Sequence, residues 1–158
     1  MSTDSDREIN IYSIAVRYFE KAHEYLSAAK KHDRASIEYD ALLSMAIVSY
    51  CGPFTKHYTG PDRKKSQLTF DALDHWTGDQ RRFHERCIEI RDKALAHPDF
   101  EYNPTKFTEG NVFKGRQYSI LDEDVDLKTF ESVLDRVISC CHSMRANHKR
   151  SAAAKEAD

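Results

Sequence analysis

A chain of 158 residues suits one domain with a real core. It is 40% hydrophobic and 32% charged with only 5 Gly and 4 Pro, a balance that favours helices with solvated outer faces. The net charge of −2 excludes a global basic field for nucleic acid, so any RNA contact has to be local.

No apolar run approaches the ~20 residues of a membrane span, and no signal peptide is visible. The expectation is a cytoplasmic protein without membrane contact. Cys51, Cys87, Cys140 and Cys141 form no CxxC pair and stand in apolar settings, so they read as reduced core residues. Cys140-Cys141-His142 points in three directions on a helix, which is unsuited to one metal ion. No metal and no cofactor are expected.

Residues 1–7 are polar and read as a disordered N-terminus ahead of a helical domain over 8–148. From Ile9 to about Lys31 the apolar positions Tyr12, Ala15, Phe19, Ala22, Leu26 and Ala29 alternate steps of three and four. That is a heptad seam for lengthwise helix packing. A second helix is expected from Asp33 as N-cap to about Tyr50. Its centre, Ala41 to Val48, is apolar all round apart from Ser44, which predicts the most buried helix. Cys51-Gly52-Pro53 ends it.

Residues 54–78 read as a long connector with a short helix over Gln67 to His75. Within it, His57, Tyr58, Arg63, Lys64 and Lys65 are candidates to guide an RNA backbone. A third helix is expected to start at Asp79, to bury Phe83, Cys87, Ile90 and Ala94, and to stop before Pro98. Arg81, Arg82 and Arg86 suggest a positive path along it, diluted by Glu85 and Glu89. Residues 99–121 carry signs of a small hairpin, with a turn near Glu109-Gly110-Asn111 or Lys114-Gly115. Tyr102 and Phe107 are its candidate stacking rings. The last helix starts near Asp124 or Asp126 and buries Leu127, Phe130, Leu134, Val137, Ile138 and Cys141. Residues 149–158 read as a disordered, alanine-rich tail. The fold class is all-α: a bundle of four to five helices with a hairpin-like insertion before the last one.

The chemistry concentrates in Ile90-Arg91-Asp92-Lys93-Ala94-Leu95-Ala96-His97-Pro98. Arg is always cationic and recognises phosphate bidentately. His moves protons near neutral pH. On an ideal helix residues six apart stand roughly 120° apart, so Arg91 and His97 do not share a face. His97 precedes Pro98, which biases it out of the helix. A two-fold dimer offers another route, with both chains supplying one cleft and the two His97 side chains facing each other. Arg91 shares a face with His84, Ile88 and Leu95, which suggests a second, partly apolar contact surface. Asp92 is placed to orient an Arg or His.

These residues suit metal-independent RNA cleavage by the neighbouring 2′-hydroxyl. His97 takes the 2′ proton, Arg91 stabilises the charged transition state, and the products are a 2′,3′-cyclic phosphate and a 5′-hydroxyl. The plainer alternative is an Arg91 surface ion pair with His97 capping a helix C-terminus.

Ile90 to His97 resembles the signature of the HEPN superfamily, an all-helical group whose motif is an Arg, usually a polar residue, and a His four to six residues from the Arg. Arg91, Asp92 and His97 fill those roles with five intervening residues. Arg-Asp-Lys followed by Ala-His is especially similar to the branch linked to phage abortive infection. The resemblance implies a helical bundle, a homodimer lining one cleft with both motifs, and a metal-independent endoribonuclease serving as a toxin or defence effector. Its implied partners are RNA and an antitoxin or inhibitor protein. Asp99 stands where the subgroup paired with a nucleotidyltransferase antitoxin has Tyr, so adenylylation there is not expected. The alternative within the same fold is a non-catalytic helical dimer that binds a partner protein or nucleotide.

Overall fold

A computed structural model of the protein describes residues 4–55, 57–59, 64–69, 76–96, 105–108, 112–115 and 119–156. Among them are four α-helices: α1 Asp4–Ala29, α2 Ile37–Cys51, α3 Gly78–Ile90 and α4 Leu127–Glu156. The all-α bundle expected from sequence is the fold. Two small antiparallel hairpins interrupt it, β1 His57–Thr59 with β2 Lys64–Ser66 and β3 Thr105–Thr108 with β4 Val112–Gly115. The second is the expected insertion before the last helix. Thr108 pairs with Val112, so Lys114-Gly115 lies within β4 rather than at a turn, and the alternative, Glu109-Gly110-Asn111, lies outside the described residues.

The heptad seam of α1 does what its spacing dictates. Ala15, Phe19, Ala22, Leu26 and Ala29 are buried, and Tyr12 packs at the edge of the core. Small residues alternate with large ones, so α1 lies close against both α2 and α4. From α4 the core receives Phe130, Val133, Leu134, Val137 and Cys141. From α3 it receives Cys87 and Ile90.

Residues 4–7 and 149–156, read from sequence as disordered, are helical. Helix α1 begins at Asp4 and α4 continues to Glu156. No Gly or Pro interrupts the chain before Ala29, and alanine recurs after Arg150, so nothing local stops either helix.

The helix starts also move. Ser36, not Asp33, caps α2, its hydroxyl accepting from the Tyr39 N–H at 3.1 Å. Asp33 instead accepts from the Ala35 N–H at 2.8 Å and closes a local turn. Thr77, not Asp79, caps α3 in a reciprocal box with Gln80. Asp126 begins α4, as expected, holding the Thr129 hydroxyl at 2.6 Å. Its carboxyl is lowered below the usual aspartate value by that hydrogen bond and by backbone N–H donors.

Helix α2 is not buried all round. Leu43, Ala46, Ile47, Tyr50 and Cys51 face the core, whereas Ile37, Ala41, Met45 and Val48 are exposed. The apolar run conceals an ordinary one-sided helix whose exposed positions between Ala41 and Val48 happen to be apolar. Gln67–Thr69 are not helical, and the rest of the helix expected to His75 lies outside the described residues.

Truncating the centre of this core should show directly. Phe19→Ala is expected to cost about 3–5 kcal/mol in urea unfolding. Thr77→Ala should cost about 1 kcal/mol, the value of a lost N-cap.

Candidate functional site

The site is built at the C-terminal end of α2. There Cys51 leads into a 3₁₀ turn, Gly52–Phe54, with Pro53 at a position where its missing N–H does no harm. The chain after the first hairpin returns to hold this turn. The Leu68 N–H donates to the Pro53 carbonyl at 2.9 Å, and the Gln67 side-chain amide donates to the Phe54 carbonyl at 2.7 Å. The turn fixes Thr55, whose hydroxyl donates to the Cys51 carbonyl at 3.1 Å.

Helix α3 is oriented against this end by a buried polar contact. The Tyr50 hydroxyl and the His84 Nδ1 share a hydrogen bond of 2.9 Å, with both rings out of water. Two turns further along lies Arg91. Its Nη2 donates to the Thr55 hydroxyl at 3.2 Å. Its Nε stands 2.9 Å from Asp92 Oδ1, but the N–H does not point at the carboxylate, so this contact is an ion pair without a hydrogen bond. The Arg91 side chain is 18% exposed and the Asp92 side chain 48%. A guanidinium held on two sides at the rim of a core cannot swing freely, and its field is weakly screened.

Arg91 also begins a change of helix type. Its N–H still bonds back to Cys87 and Ile88, but Arg91–Ala96 form a π-helical turn in the i→i+5 pattern. Such a turn advances fewer degrees per residue than an α-helix. The α-helical 100° per residue therefore does not hold across Arg91–Ala96. The sequence offered one clue: Pro98 supplies no N–H to the preceding turn. His97 itself, with Pro98 and Asp99, lies outside the described residues, as does Tyr102. Phe107 sits in β3 opposite Phe113.

The face that Arg91 shares with His84, Ile88 and Leu95 is not a second contact surface. His84 is buried, and Ile88 and Leu95 pack against the core, because this face turns toward the end of α2. Nor does α3 carry a positive path. Arg82 pairs with Asp79, Arg86 pairs with both Glu89 and Glu123 at 2.6 Å, and Lys93 pairs with Glu89 at 3.3 Å. Lys64 and Lys65 of the basic cluster lie in β2, and Arg63 lies outside the described residues. Sequence reading missed Thr55, Cys51 and the Tyr50–His84 pair. The signal available was Thr55 following Gly52-Pro53, since a rigid turn makes a good platform.

The cysteines here are inert. Burial pushes the Cys51 thiol up to about 12, against the opposing pull of the Arg91 guanidinium. Cys87 is raised as well, by burial and by the neighbouring Cys51. Burial also raises the Tyr50 hydroxyl well above its ordinary value. These groups stay neutral and serve as packing. Two surface hollows lie elsewhere. One of about 310 Å³ is lined by Arg34, Tyr39, Ile120 and Asp124, and one of about 680 Å³ by Gln80, Ser132, Arg136 and Cys140. Neither includes Arg91.

No protein-family model matches this chain, and no curated protein or solved structure does either. Among the described residues no helix is long and apolar enough to cross a membrane.

Two measurements check this geometry. Under native conditions an aromatic disulfide reagent should titrate Cys140, which is partly exposed, while Cys51, Cys87 and Cys141 react only after unfolding. Tyr50→Phe, which removes this buried hydrogen bond, should cost about 1 kcal/mol of stability.

Proposed function

We propose that the protein is a metal-independent endoribonuclease of HEPN type, acting as a homodimer in a toxin or phage-defence role. The observation that carries this reading is the Arg91 guanidinium, anchored by Thr55 and Asp92 at the start of a π-helical turn. Helix interiors rarely change type without a reason, and π-turns concentrate at functional sites. Arg at a helix C-terminus is also favoured by the dipole, so the cation is stable where it stands.

In this reading the 2′-hydroxyl of a ribose attacks the adjacent phosphorus. His97 accepts the 2′ proton, and Arg91 donates to the phosphoryl oxygens as negative charge builds on them. The bond to the 5′ oxygen breaks, and that oxygen takes up a proton. A cyclic phosphate and a 5′-hydroxyl remain. Asp92 orients the guanidinium and offsets part of its charge at rest. The ion pair gives a second reading some weight: an arginine already tied on two sides also suits holding a nucleotide phosphate without cleaving it.

The test is cleavage of single-stranded RNA in EDTA, with end-group analysis for the cyclic phosphate. His97→Ala and Arg91→Ala should each lower the rate about a hundredfold or more with helical circular dichroism unchanged. Arg91→Lys should recover little, because a point charge does not reproduce a bidentate contact. Growth inhibition in the native host decides between the readings. If wild type and His97→Ala behave identically there, the binding reading replaces the catalytic one.

A further inference from the structure

The smaller of the two hollows, about 310 Å³, has the size of a small-molecule site. It lies between the start of α2 and the segment that leads into α4. Tyr39, Leu43 and Ile120 form its buried lining. Leu121 and Val125 add accessible apolar surface at its mouth. The two walls are pinned. Asp40 of α2 accepts from the Ser119 hydroxyl and the Ile120 N–H, and Arg86 of α3 holds Glu123 at 2.6 Å. The hollow is therefore preformed by the fold.

Three polar side chains in its lining are not used by the fold. Tyr39 is only 6% exposed, yet its hydroxyl makes no hydrogen bond among the described residues. That oxygen is not sealed from water either, so it opens on the hollow that its ring lines. A hydroxyl on so buried a ring normally has a partner. Arg34 lines the hollow from the turn before α2, and Asp124 lines it from the opposite wall. Both are exposed, and neither makes an ion pair among the described residues, with the other or elsewhere. Glu123, the remaining charge in the lining, is taken up by Arg86. An opposite pair that shares a hollow without meeting leaves space for a molecule that meets both.

We propose that this hollow binds a free α-amino acid with an apolar side chain. The ligand carboxylate accepts from the Arg34 guanidinium and the Tyr39 hydroxyl. Its ammonium group donates to Asp124. Its side chain lies on Leu43, Ile120 and Val125, which are the apolar part of the lining. The charges of the site and of the zwitterion cancel one for one. A phosphorylated ligand fits worse, because its second negative charge would face Asp124 with no second cation in the lining among the described residues. The site is independent of the nuclease reading, since Arg91 takes no part in it.

The test is an NMR titration of the full chain with L-leucine, L-methionine and L-phenylalanine as probes. At least one should shift the Ile120, Leu121 and Asp124 amides and saturate, with a Kd of about 0.1–1 mM, as suits so small a ligand. Isocaproate, which is leucine without its ammonium group, should bind about tenfold more weakly. So should isoamylamine, which is leucine without its carboxylate. Arg34→Ala and Asp124→Asn should each weaken binding about tenfold, and both positions are exposed enough for the fold to tolerate the change. Tyr39→Phe should weaken binding several-fold while leaving the urea midpoint unchanged, because the fold gives the hydroxyl no partner. No saturable shift with any of the three amino acids at about 10 mM, ten times the weaker limit, overturns the proposal. So does isocaproate or adenosine monophosphate binding as tightly as the best amino acid, or wild-type affinity in Tyr39→Phe and Arg34→Ala. RNA cleavage is measured apart, and Arg91 and His97 are intact in every variant, so failure of this site and failure of the nuclease reading are distinguishable.

Discussion

Everything in this bundle converges on the side chain of Tyr50. Its ring packs at 5.4–5.9 Å against Phe19 of α1, Phe54 of the 3₁₀ turn, His84 of α3 and Phe130 of α4. No other ring in the described contacts touches an aromatic partner from each of α1, α3 and α4. Its hydroxyl is buried as well, and a buried hydroxyl has to find a partner. His84 is that partner. Apolar packing alone would let α3 rotate about its axis at small cost. The hydrogen bond removes that freedom, because only one rotation of α3 brings His84 to the phenol. The orientation of Arg91, seven residues further on, follows from it.

A second polar pin acts at the other end of α2. The Asp40 carboxylate accepts from the Ser119 hydroxyl at 2.6 Å and from the Ile120 N–H at 3.3 Å. It ties the short 3₁₀ turn Ile120–Asp122 to α2 just before α4 begins. Helix α2 therefore gives each end to a different task. Its start positions the entry to α4, and its end positions the guanidinium.

What the sequence made legible follows the reach of each signal. The seam from Ala15 to Ala29 was readable because a long 3-4 alternation has one interpretation. The stripe of α4 was readable for the same reason. Caps were harder. Asp33 and Asp79 are as good N-cap residues as Ser36 and Thr77, and only the chain path into the helix chooses between them. The all-apolar centre of α2 misled because hydrophobicity reports what can be buried, not what is. Met45 and Val48 look like core residues and are outside. The Tyr50–His84 contact was hidden because it joins positions 34 residues apart, and no local pattern marks such a pair. At the motif, the grouping of Arg91 with Asp92 was visible as adjacent residues, whereas Thr55 was not. The change to a π-helix has no reliable signature in one chain.

That π-turn makes residue count itself a structural variable. Each i→i+5 ring holds one more residue than an i→i+4 ring, so Arg91–Ala96 behave as an α-helix with a residue inserted. Removing one residue from this stretch would let the α ladder close. The helix end would then hand on the chain rotated by about 100°. The spacing between an arginine and a downstream histidine is thus more than a separation along a helix. In a chain with this turn, five intervening residues and four are different three-dimensional sites, and a motif defined only by a range of spacings merges them.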